Sequence, residues 1–234
     1  MLLVLASGHD RVARELARRW RAQEVRLLFP EDLTARGWSY DPLVAQASTG
    51  VIAQEVVPSD CLRGVLVRLP RVSERDLPGI VPADRTYVAA EMTAFLGSWL
   101  ASLSCPILNR PSPMCLSGPG WWPEHWLVVA AGLGMRVRSF HRRVVAGSSN
   151  SPASGLPAVV TATVVGNRCV GSAPDRLARR ARRLADAAGV DLLTVRFSGE
   201  TSSASIVAVD PWPDVAEPDV CDAVLAYLMH NTRP

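Results

Sequence analysis

Apolar runs punctuate the first half of this chain at regular intervals. Leu2–Ala6 is unbroken, the pattern of a strand buried on both faces. Asp10 follows and can cap a helix over Arg11–Arg21. There Val12, Leu16 and Trp20 recur at i, i+4 and i+8 while arginines fill the other faces. Val25–Phe29 reads as a second strand. A strand, a helix and a strand at this spacing predict a parallel pair with a right-handed crossover. Trp38–Tyr40 and Val51–Val57 alternate like short strands. Gly64–Leu69 is another buried strand, ended by Pro70. A proline-bearing loop then leads to a helix over Asp84–Leu103, with Val88, Met92, Phe95 and Trp99 as its apolar stripe. Pro106–Leu108 is a short strand.

The second half is less regular. Residues 111–123, PSPMCLSGPGWWP, carry no period. A helix over Glu124–Leu133 is stopped by Gly132 and Gly134, and Met135–Phe140 reads as a strand. Residues 146–157 are nearly all small, which marks a linker. Strands follow over Ala158–Val165 and Arg168–Val170, with a turn at Gly166-Asn167. A helix spans Pro174–Ala188, and Leu192–Phe197 pairs with Ser203–Val209. The last helix spans Asp219–Met229. The expected fold class is α/β: a parallel-sheet domain over 1–112, a Trp-rich connector and linker over 113–157, and a smaller α+β lobe over 158–234.

Composition narrows the chemistry. The chain has 234 residues, 48% of them hydrophobic and 20% charged, enough for a sizeable core. Its 25 cationic side chains are all arginine. Without lysine there is no Schiff base, no lysine general base and no ammonium for a phosphate. A net charge of +3, scattered along the chain, is too small to argue for nucleic acid on its own, and nucleic acid is not the expected partner. The apolar runs are too short to span a membrane. MLLVLASGHD lacks a basic region before its apolar run and reads as a strand, not a signal peptide, so the expected location is the cytoplasm. Five cysteines with no CxxC pair, and four histidines with no HxH or HExxH spacing, give neither a disulfide framework nor a metal site.

Three stretches resemble the ATP-grasp superfamily, in the branch that ligates or matures ribosomally made peptides. The first is the opening strand-helix-strand and the later strand into Arg68-Leu69-Pro70-Arg71. The second is Asp84-Arg85-x-Tyr87-x-x-x-Glu91, Trp99-Leu100 and Cys105-Pro106-Ile107-Leu108-Asn109-Arg110-Pro111. The third is TATVVG, DLLTVRF and IVAVDPWP towards the end. The resemblance implies a pre-ATP-grasp domain followed by the C-terminal lobe of a catalytic domain.

The chain also departs from that pattern. Where the family usually places a lysine after the Asn-Arg-Pro strand, this chain has Ser117-Gly118-Pro119-Gly120-Trp121-Trp122. Arg138–Pro157 leaves no room for the family's second ATP-contacting lysine, glycine-rich lid and adenine hinge. Its magnesium-binding Glu-x-Asn would fall on Ala208-Val209-Asp210, and Ala208 has no ligand oxygen. Together these departures imply a shortened homologue that no longer ligates. No cofactor or metal is expected.

Candidate site residues carry two readings each. Arg68, Arg71, Arg85, Glu91, Asn109 and Arg110 fall where open α/β sheets place ligands, as a carboxylate- or peptide-binding cleft or as an internal ion-pair lattice. Trp121, Trp122 and Trp126 form either a partner surface or a plug for the void left by a lost subdomain. The Arg176–Arg183 cluster is either a binding face or a solvated one. The leading expectation is a non-catalytic or repurposed homologue that binds a peptide or amino-acid-like ligand. It would be accessory to peptide natural-product maturation, with a partner enzyme of that pathway and a homodimer left open. The alternative is an ATP-independent cyclase, isomerase or hydrolase acting on a peptide. Its candidate acid/base groups are His9, Glu91, His125 and Asp210.

Overall fold

The computed structural model describes residues 1–41, 48–139 and 160–230. The expected linker at 146–157, the start of the strand at 158 and the end of the one at 140 lie outside them. The chain forms two compact units, Met1–Gly120 with Asp214–Pro234, and Trp121–Pro213. This grouping differs from the expected one at the end of the chain, where the last helix joins the first unit.

The first unit is built on a parallel sheet. β1 (Leu2–Leu5) lies between β2 (Val25–Leu28) and β5 (Gly64–Val67), with β6 (Ile107–Leu108) at the edge beside β5. All four residues of β1 and of β5 are buried, as unbroken apolar runs require. The residues point alternately to two cores. Leu3, Leu5, Val65 and Val67 pack with Leu96, Trp99 and Leu100 of α2 (Arg85–Ser102). At Gly64 an added Cβ would sit 2.8 Å from the Leu228 carbonyl oxygen of α5 (Pro218–His230), so only glycine lets that helix approach. Arg19, at the end of α1 (Arg11–Arg19), pairs with Asp222 of α5 at 3.0 Å.

Two expectations in this unit are corrected. Val51–Val57 is not one strand but a hairpin of β3 (Thr49–Ile52) and β4 (Glu55–Pro58), turned at Ala53 and Gln54, both at positive φ. Trp38–Tyr40 contributes an isolated bridge from Ser39 to Thr49 rather than a strand. The stripe of α2 is also broader than expected. Ala89, Leu96, Trp99 and Leu100 are buried, while Val88, Met92 and Phe95 are half-buried. Phe95 and Trp99 both meet the Trp38 ring edge-on at 5.4 Å.

The second unit is an antiparallel sheet in the order β8 (Arg168–Val170), β7 (Val160–Val165), β9 (Leu192–Phe197), β10 (Ile206–Asp210). Alternation gives it two different faces. Ala162, Val164, Leu193, Val195 and Phe197 pack with α3 (Pro123–Gly132) and α4 (Asp175–Ala188). On the other face the Thr163 and Thr194 hydroxyls, both buried, bond at 2.7 Å. Met135–Val137 joins the sheet through a parallel bridge from Val137 to Ile206 rather than as a full strand.

Candidate functional site

The carboxyl ends of β1, β5 and β6 carry most of the chemistry anticipated for the first unit. Asp10 caps α1 by accepting from the Ala13 amide at 3.0 Å. The same carboxylate takes Arg68 Nε at 2.8 Å, with a second guanidinium nitrogen at 3.4 Å. The two side chains are 15% and 20% exposed, so Arg68 is an internal strut between β5 and α1. Arg85 donates to the carbonyls of Ile80 and Pro78, closing the loop before α2. Arg110 donates to the carbonyls of Leu103 and Cys105 at the end of α2. Asn109 is 2% exposed and packs beneath Gly118. Three of the anticipated ligand arginines are thus engaged by the protein itself, mostly through backbone carbonyls rather than through carboxylates.

Arg71 is different. It is exposed and makes no hydrogen bond or ion pair among the described residues. It lines a groove of about 820 Å³ between the loop after β5, the first half of α2 and the turn after β6. The walls are fixed. The Val72 amide donates to Thr93 Oγ1 at 3.0 Å, and the Leu116 amide to the Pro70 carbonyl at 2.8 Å. Beneath the loop lies Asp76, 4% exposed, which accepts from Ser7 Oγ at 2.6 Å, Ser73 Oγ at 2.5 Å and the Ser73 amide at 2.9 Å. Burial pushes this carboxyl up, but those three donors outweigh it and hold it below its ordinary range. Sequence reasoning missed Asp76, Thr93, Arg75 and Met114. Of these, Ser73-x-x-Asp76 was detectable as a capping-box pattern.

The remaining acid/base candidates do not assemble within either unit. His9 is exposed on the loop after β1, and Glu91 is exposed on α2. In the second unit the His125 ring stacks on Trp121 at 4.5 Å. Asp210 accepts from the Trp212 amide at 2.8 Å and lies 4.0 Å from Arg196. Burial raises the Asp210 carboxyl above its ordinary range, against the lowering effect of that amide and of Arg196. Among the described residues no hydrogen bond joins His9 to Glu91 in the first unit, or His125 to Asp210 in the second.

The three tryptophans of the connector divide between the two readings. Trp126 is 1% exposed and fills the core of the second unit. Trp121 is half-buried against Trp126, with ring centroids 4.7 Å apart. Trp122 is 70% exposed. On α4, Arg176, Arg180 and Arg183 donate to the carbonyls of Glu200, Ala204 and Leu133.

No sequence-family profile and no curated protein sequence matches the chain. Solved structures do. A Chryseobacterium gregarium RiPP-associated ATP-grasp ligase, in complex with ADP and a leader and core peptide, superposes with a TM-score of 0.64 at 9% identity, over 100% of this chain and 97% of that one. The macrocyclase MdnC of Microcystis aeruginosa MRC, bound with precursor peptide MdnA, gives 0.62 at 12% identity over 99% and 100%. The ATP-grasp ligase PsnB, complexed with minimal precursor, Mg and ADP, gives 0.62 at 12% over 97% and 98%. The fold is that of the ATP-grasp ligases. It joins a parallel and an antiparallel sheet in one chain, as the sequence led us to expect.

The PsnB complex contains magnesium. Ala208 stands across from Arg196 in the β9–β10 register, and Asp210 is two residues further along the same strand. One carboxylate, 4.0 Å from a guanidinium and beside an alanine, is a poorer donor set for magnesium than a pair of carboxylates and leaves its other ligands to water and substrate phosphate. Among the described residues no group of three or more His, Cys, Asp or Glu could hold a metal ion. No described helix is long and apolar enough to cross a membrane.

Proposed function

We propose that this protein is an ATP-grasp homologue that no longer ligates and instead binds a peptide or amino-acid-like ligand, as an accessory to peptide natural-product maturation. The observation that carries the proposal is the β9–β10 face. Arg196 sits beside Asp210, and Ala208 falls where the resemblance would put the family's magnesium-binding glutamate. The chain also has no lysine to grip a nucleotide phosphate. The peptide side of the reading draws on the neighbours, whose structures hold precursor, leader or core peptides. In this chain the ligand-binding role falls to Arg71 and its groove, and Trp122, with half-buried Trp121, supplies the surface for a partner enzyme.

The test uses the purified protein with a candidate precursor peptide encoded beside its gene, with and without Mg-ATP. The proposal expects the peptide to be bound, its mass to stay unchanged and no ADP to form. It also expects Arg71→Ala to weaken peptide binding while Glu91→Gln and His125→Ala do not. ADP release coupled to a dehydrated peptide would overturn it.

A further inference from the structure

We infer that the groove along α2 is a docking site for an acidic peptide segment. This rests on the peptide-binding reading above and names the ligand's chemistry. The floor is made by Ala89, Ala90, Thr93 and Ala94, whose small side chains let a second backbone approach the helix closely. Ala90 and Ala94 are exposed there. Met114, 85% exposed, supplies a flexible apolar contact on the opposite wall.

Charge selects the occupant. Arg71 and Arg75 line the same rim, both exposed and both without a hydrogen bond or ion pair among the described residues. The groove's one lining carboxylate, Glu74, is already engaged by the Thr86 hydroxyl at 2.5 Å. The nearby Asp76 is buried beneath the loop and saturated by Ser7 and Ser73. Two guanidinia without a partner against one lining carboxylate leave the rim with a net positive charge. Guanidinium forks match carboxylates bidentately. The walls are pinned by the Val72–Thr93 and Leu116–Pro70 hydrogen bonds, so a peptide entering the groove meets a preformed surface.

The experiment is a fluorescence-anisotropy titration with two short labelled peptides. One is built of glutamate, alanine and leucine, and the other has every glutamate replaced by glutamine. The proteins are wild type, Arg71→Gln/Arg75→Gln, and Ala94→Trp, which fills the floor from an exposed position. The acidic peptide should bind wild type saturably, and more weakly as salt is raised. It should lose about tenfold in affinity to the double variant, the sum of two part-exposed charge pairs, and lose binding altogether to Ala94→Trp. If the glutamine peptide binds as well and Ala94→Trp blocks both, the groove binds peptides but the acidic selection is overturned. If the acidic peptide binds regardless of all three substitutions, the groove is not its site. If neither peptide binds wild type, this inference falls; the peptide-binding reading then stands or falls on the candidate precursor peptide in the test above.

Discussion

Arg68 offers the sharpest test of whether the arginines of the first unit serve the fold or a ligand. Arg68→Ala removes a 2.8 Å charge-assisted bond and a 3.4 Å contact, leaving the Asp10 carboxylate 15% exposed beforehand and held by the Ala13 amide. Breaking a fully buried pair costs about 3–5 kcal/mol, and an exposed pair contributes up to about 1 kcal/mol. At 15% and 20% exposure the site lies between these limits, and solvent screening brings the expectation to about 2 kcal/mol. Asp10→Ala also removes the α1 cap, adding about 1 kcal/mol. Asp10→Asn keeps a capping oxygen and should cost less than Asp10→Ala. Urea unfolding followed by tryptophan fluorescence reads these shifts as changes in midpoint at constant slope. The double variant should show a coupling of about 1.5–2 kcal/mol. Affinity for the acidic peptide should not move. The reasoning is refuted if Arg68→Ala unfolds like wild type while peptide binding drops, because Arg68 would then be serving the ligand.

Three further outcomes follow from single sites. Trp126→Ala should lose about 3–5 kcal/mol of stability, because the ring is 1% exposed, whereas Trp122→Ala should stay within about 0.5 kcal/mol; equal effects in thermal unfolding would dismiss the division between plug and surface. Asp76 titrates below its ordinary value, so its contribution is complete above the unfolded-state value near pH ~4 and is lost as pH falls through the folded value. Asp76→Asn should therefore flatten the acid limb of a stability-versus-pH curve, and an unchanged limb would contradict the network around it. Burial pushes the Cys105 thiol up to about 11, so iodoacetamide at mildly alkaline pH should label exposed Cys61 well ahead of Cys105, as read by peptide mass spectrometry; the reverse order would count against that burial.

The parallel sheet of the first unit was readable because β1 and β5 are unbroken apolar runs, which bury on both faces wherever the chain places them. The α2 stripe was blurred because apolar residues nearly encircle that helix, so its period does not choose one face. The β3–β4 hairpin was hidden because Ala53 and Gln54, not glycine or asparagine, take the positive-φ positions of its turn. Sequence could place Arg85 and Arg110 at the ligand end of the sheet. It could not show their fate, since Ile80, Leu103 and Cys105 accept through backbone carbonyls, which no residue type advertises. The last helix misled for a similar reason: an apolar face does not name the sheet it will cover. Its docking depends on Gly64, more than a hundred and fifty residues away in sequence.

The claim that ATP chemistry has been lost rests on the absence of lysine, on Ala208 and on Arg196 beside Asp210. A calorimetric titration of the purified protein with Mg-ATP tests it directly. The account predicts no saturable heat up to millimolar nucleotide, with or without a bound peptide. Saturable binding in the micromolar range, lost when magnesium is withheld, would contradict it.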